Sequence, residues 1–141
     1  MNSHSRQPPE NFELHSDHGS YTPIGVVSLE KALSMIKNVL IYAREEGIKC
    51  LLVDARKLTG FQSPSLPQRY WIARGFAANA SDTVAVALVL EPHLIDPGRF
   101  GVIVAWNLGM RVDVFTEVTE ARTWLLSDRL PSVISQIAHS G

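Results

Sequence analysis

The residues best suited to chemistry gather in the stretch 50–70, CLLVDARKLTGFQSPSLPQRY. Two serines, Ser63 and Ser65, flank Pro64 after a loop that carries Thr59, Gly60, Phe61 and Gln62. A serine ahead of a proline reads as a helix cap, with proline in the first helical position, where its missing N–H is no loss. Pro67 argues for Ser65 as the cap instead, because a proline four residues past Ser63 removes a backbone bond. In either register serine hydroxyls lie beside free N–H groups at a helix start. That is a place for an anion, a phosphoryl group included.

Other candidates are scattered. A Ser63–His93–Asp96 arrangement for nucleophilic catalysis needs two loops to meet, whereas capping explains the serine without partners. His15, Asp17 and His18 place two imidazoles and a carboxylate in one turn, enough to suggest a metal. Polar turn composition accounts for them equally. Asp54 ends a strand, with Arg56 or Arg69 as its ion-pair partner. Cys50, the one cysteine, reads as a small buried apolar residue. Arg99 and Arg111 read as isolated, solvated cations. No glycine-rich phosphate cradle and no hydrolase elbow is present, so neither a nucleotide cofactor nor a metal is expected.

The elements that must position these residues follow from periodicity. Alternation at Phe12 and Leu14, turn chemistry over 16–20 and an apolar return over 21–27 make a hairpin, with Pro23 keeping the return strand near an edge. Ser28 caps a helix whose stripe is Leu29, Leu33, Ile36, Leu40 and Ala43, closed by Gly47. A buried strand over 48–53 leads to the loop 57–64. The next helix runs to about Ala80, with Leu66, Tyr70, Ala73, Ala77 and Ala80 inward and Trp71 and Phe76 on a wide buried face. VAVALVL over 84–90 is a second buried strand. A helix over 97–107, a strand over 111–115 and a helix over 117–126 capped by Thr116 complete the order ββαβαβαβα. The expected fold is α/β: a mixed, mostly parallel five-stranded sheet with about four helices. Residues 1–10 read as a flexible arm, 11–127 as one domain, and 128–141 as an extension with a short helix over 132–138.

Composition sets limits. The chain has 141 residues, 45% hydrophobic and 19% charged, with a net charge of -1. That supplies a core but no electrostatic case for nucleic acid. The apolar runs are too short to cross a bilayer, no signal peptide is visible, and one cysteine allows no disulfide. A cytoplasmic protein is expected.

The phrases LLVDARKLTGF and PHLIDPGRFGVIVAWNLGMRVDVF, followed by EARTWL, resemble the SpoIIAA-like family of the STAS-like superfamily, which includes bacterial anti-sigma-factor antagonists and the SEC14-type fold. The resemblance spans about residues 21–126. In the antagonists a phosphorylated serine opens the helix after the central strand, in an aspartate-serine-serine-glycine motif. Ser63 matches that position, with Gln62 in place of the aspartate and Pro64-Ser65 in place of the serine-glycine. The resemblance implies Ser63 and Ser65 as phosphoacceptor or anion site. It implies a non-enzymatic regulatory or protein-interaction module, with Thr59, Phe61, Gln62, Arg69 and Tyr70 as the contact surface for an unknown protein partner. The lipid-binding relatives imply an alternative, a carrier or sensor of a small apolar or anionic ligand held beneath the helices. A third reading is an enzyme built on the sheet-edge loops. A homodimer is expected if Trp71 or Phe76 is exposed.

Overall fold

The computed structural model describes residues 7–80 and 82–127. Residues 1–6 of the expected arm, and the whole expected extension 128–141 with its helix over 132–138, lie outside the described residues.

Strand β1 (Phe12–Leu14) and strand β2 (Gly19–Tyr21) form the hairpin, Phe12 opposite Tyr21 and Leu14 opposite Gly19. The turn is shorter than 16–20, because Gly19 and Ser20 already belong to the ladder. The return strand also stops early, at Tyr21. Pro23 has no N–H to give the ladder, and Gly25–Val26 instead form a separate strand, β3.

Helix α1 (Leu29–Glu45) begins where expected: the Ser28 hydroxyl accepts the Lys31 N–H at 3.1 Å. Glu30 in the first turn and Arg44 in the last complement the helix dipole. Gly47 ends it at φ 73°, a left-handed conformation that favours glycine. Strand β4 (Cys50–Asp54) follows. Strand β5 (Leu58–Thr59) runs parallel to β3 and makes a two-stranded sheet with it. Gly60 permits that approach. It sits at φ 103°, and a Cβ there would meet the Val27 carbonyl oxygen at 2.7 Å.

Helix α2 (Leu66–Ala80), strand β6 (Ala85–Val89), a 3₁₀ turn (Pro92–Leu94), helix α3 (Phe100–Asn107), strand β7 (Arg111–Phe115) and helix α4 (Val118–Leu125) complete the fold. Two helix starts differ from expectation. Helix α3 opens at Phe100 rather than Pro97, because Asp96 Oδ2 accepts the Phe100 N–H at 2.8 Å and Arg99 turns left-handed at φ 54°. Helix α4 opens after Glu117 with no side-chain cap bond, so Thr116 does not cap it.

The main sheet has the order β1-β2-β4-β6-β7, antiparallel at β1–β2 and parallel throughout the rest. Among the described residues it is the mixed, mostly parallel five-stranded sheet with four helices that the pattern predicts. The parallel strands succeed one another in one direction. Right-handed crossovers then put every connecting helix on the same face. Leu51, Val53, Val86, Leu88 and Val112 accordingly pack under α1, α2 and α3. The alternate residues Leu52, Ala85, Ala87 and Val89 meet Ala121, Trp124 and Leu125 of α4 on the opposite face. No helix among the described residues is long and apolar enough to cross a membrane.

Candidate functional site

Four alanines, Ala32, Ala55, Ala73 and Ala105, lie where the three-helix layer meets the sheet. Their side chains are too short to fill the space between helices and strands. A cavity of about 160 Å³ remains there. Helix α1 contributes Leu29, Leu33 and Ile36, α2 contributes Ile72 and Phe76, and α3 contributes Val102. Leu88 of β6 and Val112 and Val114 of β7 form the floor, and Phe61, Pro64, Leu94 and Ile95 border the mouth from the two sheet-edge loops. Leu29 and Leu33 stay partly accessible for this reason, although they belong to the apolar stripe of α1.

Three charged residues border this space: Arg69, Asp96 and Arg99. Arg69 ties the two loops together. Its Nε donates to Pro64 O at 3.1 Å, its Nη1 to Leu94 O at 3.1 Å, and its Nη2 to Ser63 Oγ at 2.8 Å. Arg99 turns the other way. It donates through Nη1 to Asp113 Oδ1 and to Val114 O, both at 2.9 Å. Asp113 is fully buried at 0% exposure and also accepts the Val114 N–H at 2.8 Å. A solvated Arg99 is therefore a reading the structure corrects, since its guanidinium closes on a buried carboxylate across the sheet margin. Asp113 itself escaped the sequence reading. It sits in an alternating strand where a polar residue looks solvent-facing, and no local signal names its partner fourteen residues away. Arg111 holds its guanidinium 5.8 Å from the Trp106 ring centre, and Trp106 Nε1 donates to Val112 O at 2.7 Å.

The two candidate serines take different parts. Ser65 is the cap of α2. Its hydroxyl accepts the Gln68 N–H at 3.3 Å while its own N–H donates to Gln68 Oε1 at 2.8 Å, a reciprocal capping box. Ser63 is exposed and free of the helix, its oxygen held by Arg69. Thr59 and Gln62 are exposed, whereas Phe61 is half-buried over the cavity. Tyr70 is half-buried, with its hydroxyl accepting from Arg74 at 3.3 Å and its ring edge-on to Trp71 at 5.2 Å. The inward stripe of α2 is Ala73, Phe76, Ala77 and Ala80. Leu66 and Trp71, expected on the buried side, are 53% and 66% exposed.

The serine, histidine and aspartate do not form a hydrogen-bonded triad. Ser63 Oγ is engaged by Arg69 and Asp96 Oδ2 by the Phe100 amide, while His93 is exposed and bonds to neither. At the hairpin, His18 Nδ1 lies 2.7 Å from Asp17 Oδ1, and the His15 ring stacks on His18 at 4.6 Å. The hydrogen bond from His18 holds the Asp17 carboxyl below its ordinary range. Among the described residues no three histidine, cysteine or acidic side chains are grouped to hold a metal. Asp54 pairs with Arg56, not Arg69. Two parallel bonds of 2.9 Å join the carboxylate to the guanidinium, and the Arg56 N–H adds a third at 3.2 Å. Burial pushes the Asp54 carboxyl up, but these bonds outweigh it and hold the group below its ordinary value.

Comparison of the chain with protein-family models, with curated proteins and with solved structures finds no match.

Proposed function

We propose that the protein binds a small apolar ligand in the cavity beneath α1, α2 and α3 and serves as its carrier or sensor. One observation carries this reading: a carbon-lined space of about 160 Å³ opens between two loops that a single arginine side chain joins. Well-packed interiors rarely keep voids larger than a water molecule. A dry cavity of about 150 Å³ in an engineered lysozyme takes up benzene or xenon. This cavity therefore suits one ring or a short branched chain. A two-chain lipid exceeds it unless the helices part.

Native mass spectrometry of protein purified from its own cells tests the proposal, together with titration of toluene followed by the proton resonances of the lining methyl groups. A small non-covalent adduct, or saturable toluene binding, is the expected result. A bare chain that takes up no toluene refutes the proposal.

A second reading, a SpoIIAA-like regulatory or protein-interaction module, is favoured by a separate observation. The exposed Ser63 hydroxyl lies 2.8 Å from the Arg69 guanidinium, so a phosphoryl group on Ser63 would meet a cation already in place. Trp71, at 66% exposure on the same helix, would serve a partner or a second copy. A phosphoryl adduct on Ser63, or a dimer lost on changing Trp71 to alanine, would support this reading. An unmodified monomer that gains no partner when Ser63 is replaced by aspartate would sink it.

A further inference from the structure

We infer that the ligand is a monoanion, an apolar ring or short branched chain ending in one carboxylate, and that Arg69 receives its charged end. This rests on the ligand-binding reading above and adds the chemistry of the head group.

The argument turns on how the three rim charges are engaged. Asp96 caps helix α3 through the Phe100 amide. Arg99 closes on the buried Asp113. Arg69 alone of the three faces only neutral acceptors: two backbone carbonyls and one hydroxyl. No carboxylate lies within ion-pair distance of it among the described residues. A guanidinium has five N–H groups. Three of Arg69's are used, one on each nitrogen, which leaves one on each terminal nitrogen. A carboxylate accepts such a pair, and charged acceptors bind about twice as strongly as neutral ones. Ser63 accepts through its oxygen, so its own O–H stays available to donate to the same anion.

Asp96 limits the charge. A carboxylate at the same rim repels a second negative charge on the ligand, so a dicarboxylate or a phosphate is disfavoured against a single carboxylate. The carbon walls favour the rest of the molecule being apolar. Because Arg69 also joins the two mouth loops, a carboxylate on its two remaining N–H groups would bind at the residue that links them.

The test uses the full chain and three probes of similar shape: toluene, benzamide and benzoate, titrated calorimetrically at neutral pH. Benzoate should bind at least about tenfold more tightly than benzamide, the scale of a hydrogen bond to a charged group. That ratio should fall to near one in Arg69→Gln and be partly restored in Arg69→Lys, which keeps the charge but not the fork. If toluene binds and benzoate gains nothing over benzamide, the inference is overturned and the apolar-ligand proposal stands. If no probe binds, toluene included, the proposal fails and takes the inference with it. Should Arg69→Gln fail to fold, the ratio in the unaltered protein and in Arg69→Lys still decides.

Discussion

Replacing Arg99 by methionine keeps the aliphatic stem and the left-handed backbone strain but deletes the guanidinium. What changes is the environment of Asp113, whose side chain is 0% exposed against 27% for Arg99. Removing one partner of a buried ion pair costs about 3–5 kcal/mol, because the survivor cannot regain water. Asp113 keeps the Val114 amide, so the lower end, about 3 kcal/mol, is expected. At about 3 °C per kcal/mol for a chain of this size, the melting temperature should fall by roughly 9 °C. The reciprocal change, Asp113→Val, leaves a partly exposed guanidinium that can turn to solvent. It should cost only about 1–2 kcal/mol. Together the two changes should cost clearly less than their sum. Urea denaturation of the three variants reads all of this. A methionine variant that loses under about 1 kcal/mol, or no more than the valine variant, would refute the idea that the buried carboxylate depends on Arg99.

Ala73→Leu should fill part of the cavity and weaken toluene binding by more than about tenfold without lowering the melting temperature, read by titration and thermal melts. Ser65→Ala should cost about 1 kcal/mol through loss of the capping box, whereas Ser63→Ala, outside the helix and exposed, should cost less than about 0.5 kcal/mol in the same denaturation assay. The Asp54 carboxyl is lower in the folded than in the unfolded chain, so its stabilisation is complete above its ordinary value of 3.8 and is lost as the pH falls through the lowered one. Asp54→Asn should therefore cost stability at pH 7 and flatten the acid limb of a stability profile; an unchanged acid limb would count against the Asp54–Arg56 pair as its source.

Helix α1 was legible because every signal for it is local. The Ser28 cap, the stripe through Ile36, Leu40 and Ala43, and Gly47 all lie within one helical segment. Strand β6 was legible for a similar reason, since a short apolar run between a turn and a proline has few other uses. The main sheet followed from the alternation of such segments. What could not be read depends on contacts between segments. Leu66 and Trp71 look like core residues by type, but the helix turns its small side chains and Phe76 inward and leaves those two outside. The alanines of α2 signal close approach. Ala73, Ala77 and Ala80 are all buried in the core, and Ala73 borders the cavity as well. Nothing in composition separates a small residue that packs from one that leaves a void. At the site, the preference for Ser65 over Ser63 as cap was accessible from Pro67. The role of Arg69 was not, because its acceptor on Leu94 lies twenty-five residues away on another loop.

Among the described residues strand β7 is the last in its sheet, and the unpaired side of such a strand normally offers a template on which a foreign chain can add. Here Trp106 covers the Val112 carbonyl, Asp113 folds back on the Val114 amide, and Arg99 caps the Val114 carbonyl. The side chains that border the cavity's third helix and its rim thus also occupy edge groups of the sheet at that end. The opposite margin is a three-residue strand carrying Glu13, too short to seed much growth. Three of the backbone groups that a neighbouring sheet would need at β7 are already engaged by this chain's own side chains.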